Sequence, residues 1–196
     1  SLILDRTTFY AEAGGQIGDI GEINGPDSSF KVLGTTSVSG AYLHEGTIEK
    51  GSMRVGDDVS VEVNPEIREA IRINHSATHL LHAALRKVLG KHVKQRGSRV
   101  SAETLRFDFS HFDPVSEDEL IQIEDLVNEE IRKNSKVLTE VMNIDQAMRL
   151  GAIALFDEKY SEEVRVLSMG NDFSIELCGG THAATTGEIR IFQIMS

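Results

Sequence analysis

Two short stretches of the sequence carry side chains that bind transition metals. The first contains His75, His79 and His82, and the second contains Cys178 and His182 on either side of a Gly-Gly-Thr turn. On a helix, residues four apart lie on one face, so His75 and His79 would present their imidazoles one turn apart. Zinc favours histidine nitrogen and cysteine thiolate as ligands. The two stretches therefore predict a zinc site.

A simpler interpretation exists for each histidine taken alone. A single histidine on an apolar helix is more often a packed core residue than a ligand. Three histidines on one helical stripe, together with a distant Cys-His turn, favour the metal site. Spacing does not select the two helix ligands, because His82 follows His79 by three residues and also lies on that face. The choice among His75, His79 and His82 stays open on this ground.

The chemistry of such a site has several possibilities. Ser76 stands where HExxH metalloproteases carry their glutamate base, which disfavours that kind of peptidase. Catalytic zinc usually keeps an open position, whereas four protein ligands normally make a structural site. Either one ligand is labile, or the metal mainly shapes and anchors a pocket. Cys178 assisted by His182 is a third option, ranked last because a metal-bound thiolate is a poor nucleophile.

The histidines require a long helix to position them. Asn64 is a good N-cap, Pro65 is favoured at the first helical position, and apolar residues keep helical spacing up to Gly90. Before this helix, short alternating runs separated by Gly, Asp and Ser clusters predict strands. We expect them to form a small N-terminal β-barrel over residues 1–64.

Residues 65–196 are expected to form a second domain of α+β class. Its α/β two-layer core would pack the histidine-bearing helix on a mainly antiparallel sheet. Ser116 and Glu119 form a capping-box signature that opens another helix. A short helix is expected from Asp145 to Leu150. The strands predicted here are a hairpin of His92–Val100 with Leu105–Phe109, and Val137–Val141, Val164–Ser168, Phe173–Leu177 and Glu188–Ile194.

Charge is distributed unevenly along the chain, whose 196 residues carry a net charge of −11. Between Arg68 and Arg106 there are nine basic and two acidic residues, which gives +7 and leaves −18 for the remainder. This basic segment is either a solvated face or a surface that tracks phosphates beside the metal.

Several features bound the location of the protein. No apolar run approaches the ~20 residues that span a bilayer, so no membrane partner is expected. A single cysteine excludes an internal disulfide, and no signal peptide opens the chain, which together indicate the cytoplasm. The missing initiator methionine and the strand-like last residues predict a fragment of a longer protein.

The sequence contains four motifs, which are Asp5–Tyr10, Gly14-Gly15-Gln16, Asn74–His82 and Cys178–His182. Together they resemble the editing domain of alanyl-tRNA synthetase and are also similar to the free-standing AlaX proteins. They occur in the family's order over essentially the whole chain. The run Phe107–Phe112 looks more like the synthetase form, so we expect a synthetase fragment. An AlaX-type deacylase, a non-catalytic zinc-stabilised tRNA-binding module and an unrelated zinc amidohydrolase are the alternatives.

The resemblance implies a reaction, partners and a ligand set. The reaction is hydrolysis of the ester that joins serine or glycine to mischarged alanine tRNA. The partners are the 3′ end of that tRNA(Ala) and the remainder of the parent synthetase. The implied zinc ligands are His75, His79, Cys178 and His182, which excludes His82.

The resemblance also implies residues of a substrate pocket. Gln95 would orient the attacking water or hold the terminal adenosine. The hydroxyl of Thr7 would meet the hydroxyl of the serine. Arg96, within the basic segment, is assigned to substrate binding. For Gly14, Gly15 and Gln16 we hypothesise a loop that closes over the pocket from the barrel side; the simpler interpretation is a turn that needs positive φ.

Overall fold

The protein is described by a computed structural model that covers residues 1–154 and 161–195. Over those residues it is a mixed α/β structure with antiparallel sheets, three α-helices and a short 3-10 helix. The elements are β1 (Leu2–Ile3), β2 (Gly21–Asn24), β3 (Ser29–Val38), β4 (Ala41–Lys50), β5 (Ser60–Val63), α1 (Pro65–Val88), β6 (Lys94–Val100), β7 (Leu105–Ser110), α2 (Glu117–Lys133), β8 (Leu138–Asn143), α3 (Ile144–Arg149), β9 (Glu163–Met169), β10 (Ser174–Leu177) and the 3-10 helix Thr186–Ile189.

The first five strands form an open sheet, so the prediction of a small barrel is wrong. The strand order is β1-β4-β3-β2-β5, which leaves β1 and β5 as edges in the described part of the chain. These edges have two and four residues and do not pair with each other, so the sheet does not close. Alternation in the sequence identifies half-buried strands, but it does not distinguish an open sheet from a closed one. The division of the chain at residue 64 stays a prediction.

Helix α1 passes through the interior and carries the histidines. The side chain of Asn64 accepts a hydrogen bond from the Ile67 amide at 3.0 Å, and Pro65 begins the helix, as predicted. Every residue from His75 to Leu85 is buried, as in a helix covered on all sides. Leu80 and its neighbours pack against the apolar stripe of α2. Burial on all sides fixes the direction of each imidazole.

The second half of the chain divides its strands between two separate ladders. The β6–β7 hairpin forms as predicted, and β8, β9 and β10 form a three-stranded antiparallel sheet. The Ser116–Glu119 capping box at the start of α2 is also present. No described helix has both the length and the apolar character needed to cross a membrane.

The strand predicted at Glu188–Ile194 is wrong. The 3-10 helix ends at Ile189, and the described residues after it belong to no strand. The side chain of Asn128 takes the place of a neighbouring strand: it accepts from the Phe192 amide at 2.9 Å and donates to the Phe192 carbonyl at 2.8 Å. Ile189 and Phe192 are buried against the core. The alternation of apolar residues in this segment therefore reflects burial against the core and not pairing with another strand.

Candidate metal centre and adjoining cavity

The fold brings together the four residues whose types first suggested a metal. His75, His79, Cys178 and His182 each offer one ligand atom, and these atoms lie within 4.8 Å of one another. Sγ of Cys178 lies 3.5 Å from Nε2 of His75 and 3.4 Å from Nε2 of His182. Nε2 of His182 lies 3.2 Å from Nε2 of His79. His82 is not part of this group.

Three of the six distances between these ligand atoms match the spacing around a tetrahedral zinc ion. With Zn–N near 2.0–2.1 Å and Zn–S near 2.3 Å, tetrahedral geometry places neighbouring ligand atoms roughly 3.3–3.6 Å apart. The three distances at Cys178 and His182 fall close to that range. The donor set of three imidazoles and one thiol is also one that zinc prefers. The cluster can therefore hold a metal.

Glu176 connects two histidines of α1. Its two carboxylate oxygens accept hydrogen bonds from Nδ1 of His79 at 2.6 Å and from Nδ1 of His82 at 2.8 Å. The carboxylate is 1% exposed. His82, which spacing could not separate from the other histidines, thus lies on the far side of Glu176 from the cluster. Its Nε2 is buried and has no hydrogen-bond partner among the described residues.

Gln16 plays a corresponding part at His75. Its Oε1 accepts from Nδ1 of His75 at 2.7 Å and from the Thr181 amide at 3.0 Å, while its Nε2 donates to the Thr181 hydroxyl at 3.0 Å. Gln16 is fully buried. A Cβ on Gly180 would collide with the ring of His75, so the turn needs glycine there.

The charges of the cluster are strongly coupled. Burial raises the pKa of Cys178, but the charge of His79 and the polar contacts with His182 and His75 outweigh it and hold that pKa well below its usual value. Burial lowers the pKa of His79, but Glu176 and Cys178 outweigh it and raise the pKa to about 10. Burial lowers the pKa of His182 to about 3. The surroundings therefore favour a thiolate, the form of cysteine that binds metals.

The turn between Cys178 and His182 is held by two arginines. Arg165 donates to the carbonyl oxygens of Cys178 and Gly180. Nε of Arg72 donates to the carbonyl oxygen of His182 at 2.8 Å. These contacts occupy backbone acceptors that would otherwise lack partners, and they fix the loop against β9 and α1.

A cavity of about 750 Å³ opens beside the metal cluster. Its walls include Thr7, Gly14 and Gln95 from the predicted substrate pocket, together with His75, His79 and Cys178. The other pocket residues lie elsewhere. Gly15, Gln16 and Arg96 are not among the residues that line the cavity, and Arg96 is exposed on β6.

Thr7 is held in one orientation by a buried histidine. Nδ1 of His44 lies 3.2 Å from the Leu2 carbonyl oxygen and Nε2 lies 2.8 Å from the Thr7 hydroxyl. An N–H at Nδ1 donating to Leu2 leaves Nε2 as an acceptor, so the hydroxyl of Thr7 donates to His44. The same oxygen accepts from the Phe9 amide at 3.1 Å. The remaining lone pair makes Thr7 an acceptor toward the cavity.

Gln95 is tethered through its nitrogen. Its Nε2 donates to the Ser98 hydroxyl at 3.0 Å, and that hydroxyl donates to the Gly14 carbonyl at 3.3 Å. The contact links the β6–β7 hairpin to the Gly-Gly-Gln turn. It leaves the carbonyl oxygen Oε1 as the group that Gln95 can offer to another donor.

Two family models and several alanine–tRNA ligases match this sequence. A family model described as tRNA synthetases class II (A) matches residues 1–67, and one described as the threonyl and alanyl tRNA synthetase second additional domain matches residues 164–196. An alanine–tRNA ligase of Pseudomonas savastanoi pv. phaseolicola is 56% identical over 195 residues, and one of Pseudomonas fluorescens is 55% identical over the same length. The chain is homologous to alanyl-tRNA synthetases. The match covers 100% of this chain and 22% of the length of each relative, and the resemblance inferred from the motifs is confirmed.

Three residues of the site escaped the sequence analysis. Glu176 lies two positions before Cys178, and only its placement beside a metal motif could have drawn attention to it. His44 is an isolated histidine in a strand, and Arg165 is an isolated arginine in another. Neither belongs to a spacing pattern, so only the fold could reveal their contacts.

Proposed function

We propose that the chain hydrolyses the ester bond of alanine tRNA mischarged with serine or glycine, as the editing segment of an alanyl-tRNA synthetase. The observation that carries the proposal is the cavity in which Thr7 and Gln95 accompany the metal cluster. The Thr7 hydroxyl offers an acceptor for a small hydroxyl group, and the Gln95 side chain offers an amide. Cys178 lies beside them in the same cavity. These groups could contact the side chain and the ester of a small aminoacyl substrate.

Thr7 supports selection of serine over alanine. With its proton committed to His44, the hydroxyl accepts a hydrogen bond from the serine side chain. An alanyl group cannot donate that bond, so the correct product would leave the acceptor unpaired. A glycyl group has no hydroxyl either, and its hydrolysis would not use this contact.

Gln95 supports positioning of the attacking water. Because its amide nitrogen is bound to Ser98, its oxygen is directed to accept a hydrogen bond from a water or from the terminal ribose. Zinc held by His75, His79, Cys178 and His182 would supply a Lewis acid that polarises or anchors the aminoacyl group. An ester is already more reactive than an amide, so positioning could account for much of the rate.

The basic segment supports an RNA partner only in part. Arg68 is paired with Asp19, and Arg72 with Glu69, so these two arginines serve internal contacts. The exposed face of the β6–β7 hairpin differs. Arg99 and Arg106 lie directly opposite each other, and Arg106 also pairs with Asp108 at 3.2 Å. A bound phosphate would relieve the repulsion that remains between the two arginines. Lys94 and Arg96 are exposed on the same hairpin.

The test is deacylation by the purified, zinc-loaded chain. Ser-tRNA(Ala) and Gly-tRNA(Ala) should lose their amino acid faster than background, whereas Ala-tRNA(Ala) should be spared. Cys178→Ala should abolish the excess rate. No hydrolysis above background in a folded, zinc-loaded sample would refute the proposal, and tRNA binding without turnover would identify a binding module.

A further inference from the structure

Two buried side chains hold the helix histidines by the nitrogen that faces away from the metal cluster. We propose that Gln16 and Glu176 are positioning residues that direct Nε2 of His75 and of His79 toward the ion. The proposal concerns the metal site and does not depend on the identity of the substrate.

The reasoning begins with the tautomers of imidazole. A neutral imidazole carries one N–H, so donation from Nδ1 leaves the lone pair on Nε2. Metal binding requires that lone pair. The acceptors Oε1 of Gln16 and Oε2 of Glu176 lie 2.7 and 2.6 Å from Nδ1 of His75 and His79. In the neutral ring that binds a metal, each contact therefore places the lone pair on Nε2 and holds the orientation of the ring.

Glu176 performs this task only because both of its oxygens are occupied. His79 takes one oxygen and His82 the other, and Ser174 adds a longer contact of 3.3 Å to the second. A buried carboxylate with one free oxygen would be strongly disfavoured. His82 thus pairs the carboxylate oxygen that His79 leaves free, which gives the third histidine on the stripe a role.

Gln16 joins the two halves of the site. Its oxygen binds a ligand on α1, and the same amide binds both the backbone and the hydroxyl of Thr181 in the Cys178–His182 turn. One side chain therefore fixes the helix and the loop relative to each other. The Gly-Gly-Gln turn was expected to close over the substrate pocket. Its Gln16 side chain instead binds Nδ1 of His75, on the side of the ring away from the metal cluster.

The charges also explain why one positioning residue is an acid and the other an amide. A divalent ion, the Cys178 thiolate and the Glu176 carboxylate sum to zero. A second carboxylate at position 16 would leave one negative charge in a buried site, where an uncompensated charge is costly.

The proposal can be tested by measuring zinc affinity, without an assay of catalysis. Zinc binding should be titrated by competition with a chromogenic chelator, and Co²⁺ should be added to record the thiolate charge-transfer band. Gln16→Met and Glu176→Gln should each weaken zinc binding by about 10- to 100-fold and alter the cobalt spectrum. The matched changes Gln122→Met and Glu140→Gln lie at exposed positions and should leave the affinity unchanged.

A double variant distinguishes positioning from simple loss of packing. In Glu176→Gln a single oxygen serves two imidazole N–H groups, and the amide NH₂ opposes one of them. His82→Leu removes the competing imidazole, so the double variant should bind zinc more tightly than Glu176→Gln alone. Damage to packing would make the double variant weaker still.

Folding of each variant is checked by circular dichroism without metal. Thr181→Val is the milder alternative for Gln16, because it removes one contact of the amide and should give an intermediate loss of affinity. Zinc affinities of Gln16→Met and Glu176→Gln within about twofold of the unmodified chain would overturn the proposal. A double variant no tighter than Glu176→Gln would overturn the role of His82.

Discussion

At the level of the residue, the role proposed for Thr7 depends on the direction of a single proton and can be tested. Thr7→Val keeps the shape of the side chain but removes the acceptor. We expect kcat/KM for Ser-tRNA(Ala) to fall about 3- to 10-fold, the value of one neutral hydrogen bond, and that for Gly-tRNA(Ala) to stay unchanged. Steady-state deacylation of Ser-tRNA(Ala) and Gly-tRNA(Ala) measures this difference in kcat/KM.

His44 should behave as the partner of Thr7. His44→Leu frees the hydroxyl of Thr7 to rotate, so the ratio of serine to glycine activity should fall in the same direction. In the Thr7→Val background the His44 change should alter that ratio no further, because the hydroxyl is already absent. Equal losses on both substrates would instead mean that His44 supports only the fold.

The same histidine should make stability depend on pH. Burial outweighs the hydrogen bond to Leu2 and lowers the pKa of His44 from 6.5, so the unfolded chain takes up a proton that the folded chain does not. The free energy of unfolding should therefore be highest above about pH 6.5 and should fall as pH decreases below it, by at most about 1.4 kcal/mol per pH unit. Urea unfolding at several pH values should show a smaller acid-side loss in His44→Leu. Parallel curves for the two proteins would contradict this.

At the level of elements, the Gly-Gly-Gln turn offers a matched pair of substitutions. Both glycines have positive φ, but a Cβ on Gly14 would meet no atom within 4 Å, whereas one on Gly15 would lie 2.6 Å from the Ser98 carbonyl oxygen. Gly14→Ala should cost about 1 kcal/mol of stability from backbone strain. Gly15→Ala should cost more, and because Ser98 also holds Gln95, deacylation should fall with it. A fall in deacylation without a loss of stability would support a loop that closes over the substrate.

The exposed face of the β6–β7 hairpin should contribute to RNA affinity by charge alone. Arg96→Ala and Arg99→Ala should each weaken tRNA binding and reduce the slope of log K against log[salt] by about 0.7–0.9 for each phosphate that is no longer neutralised. Arg132→Ala, at the end of α2, is the matched control. Equal slopes for all three variants would exclude the hairpin face as a phosphate-binding surface.

The helices and sheets also show which parts of the fold could be predicted from the sequence. Asn64, Pro65 and the Ser116–Glu119 box predicted both long helices, because capping is a local interaction. The open sheet was mistaken for a barrel, and residues 188–194 were mistaken for a strand. Both errors concern pairing between distant segments, which a local pattern of burial does not encode. Type and spacing identified the helix and the turn that carry the metal cluster but left His82 open as a ligand, and only the family resemblance excluded it. Glu176 and His44 depend on the fold.

At the level of the whole molecule, the metal should act as a cross-link. Its ligands come from α1 and from the turn after β10, and Gln16 adds the N-terminal part of the chain. Zinc at about 100 times its Kd should stabilise the fold by about 2.7 kcal/mol, and chelation should lower Tm by roughly 5–10 °C. Scanning calorimetry with chelator and after addition of zinc measures this. An unchanged Tm after complete removal of zinc would contradict a stabilising role.

The distance along the chain between the two halves of the cluster has a consequence for biosynthesis. His75 and Cys178 are 103 residues apart, and a ribosome adding 5–20 residues per second needs about 5 to 20 s to travel between them. During that interval the nascent helix displays two imidazoles one turn apart, which is half of a coordination sphere. An ion taken up at that stage is held by two ligands and exchanges readily. The turn that carries Cys178 and His182 would then complete the shell, so stable retention of the metal would require that this turn has left the ribosome.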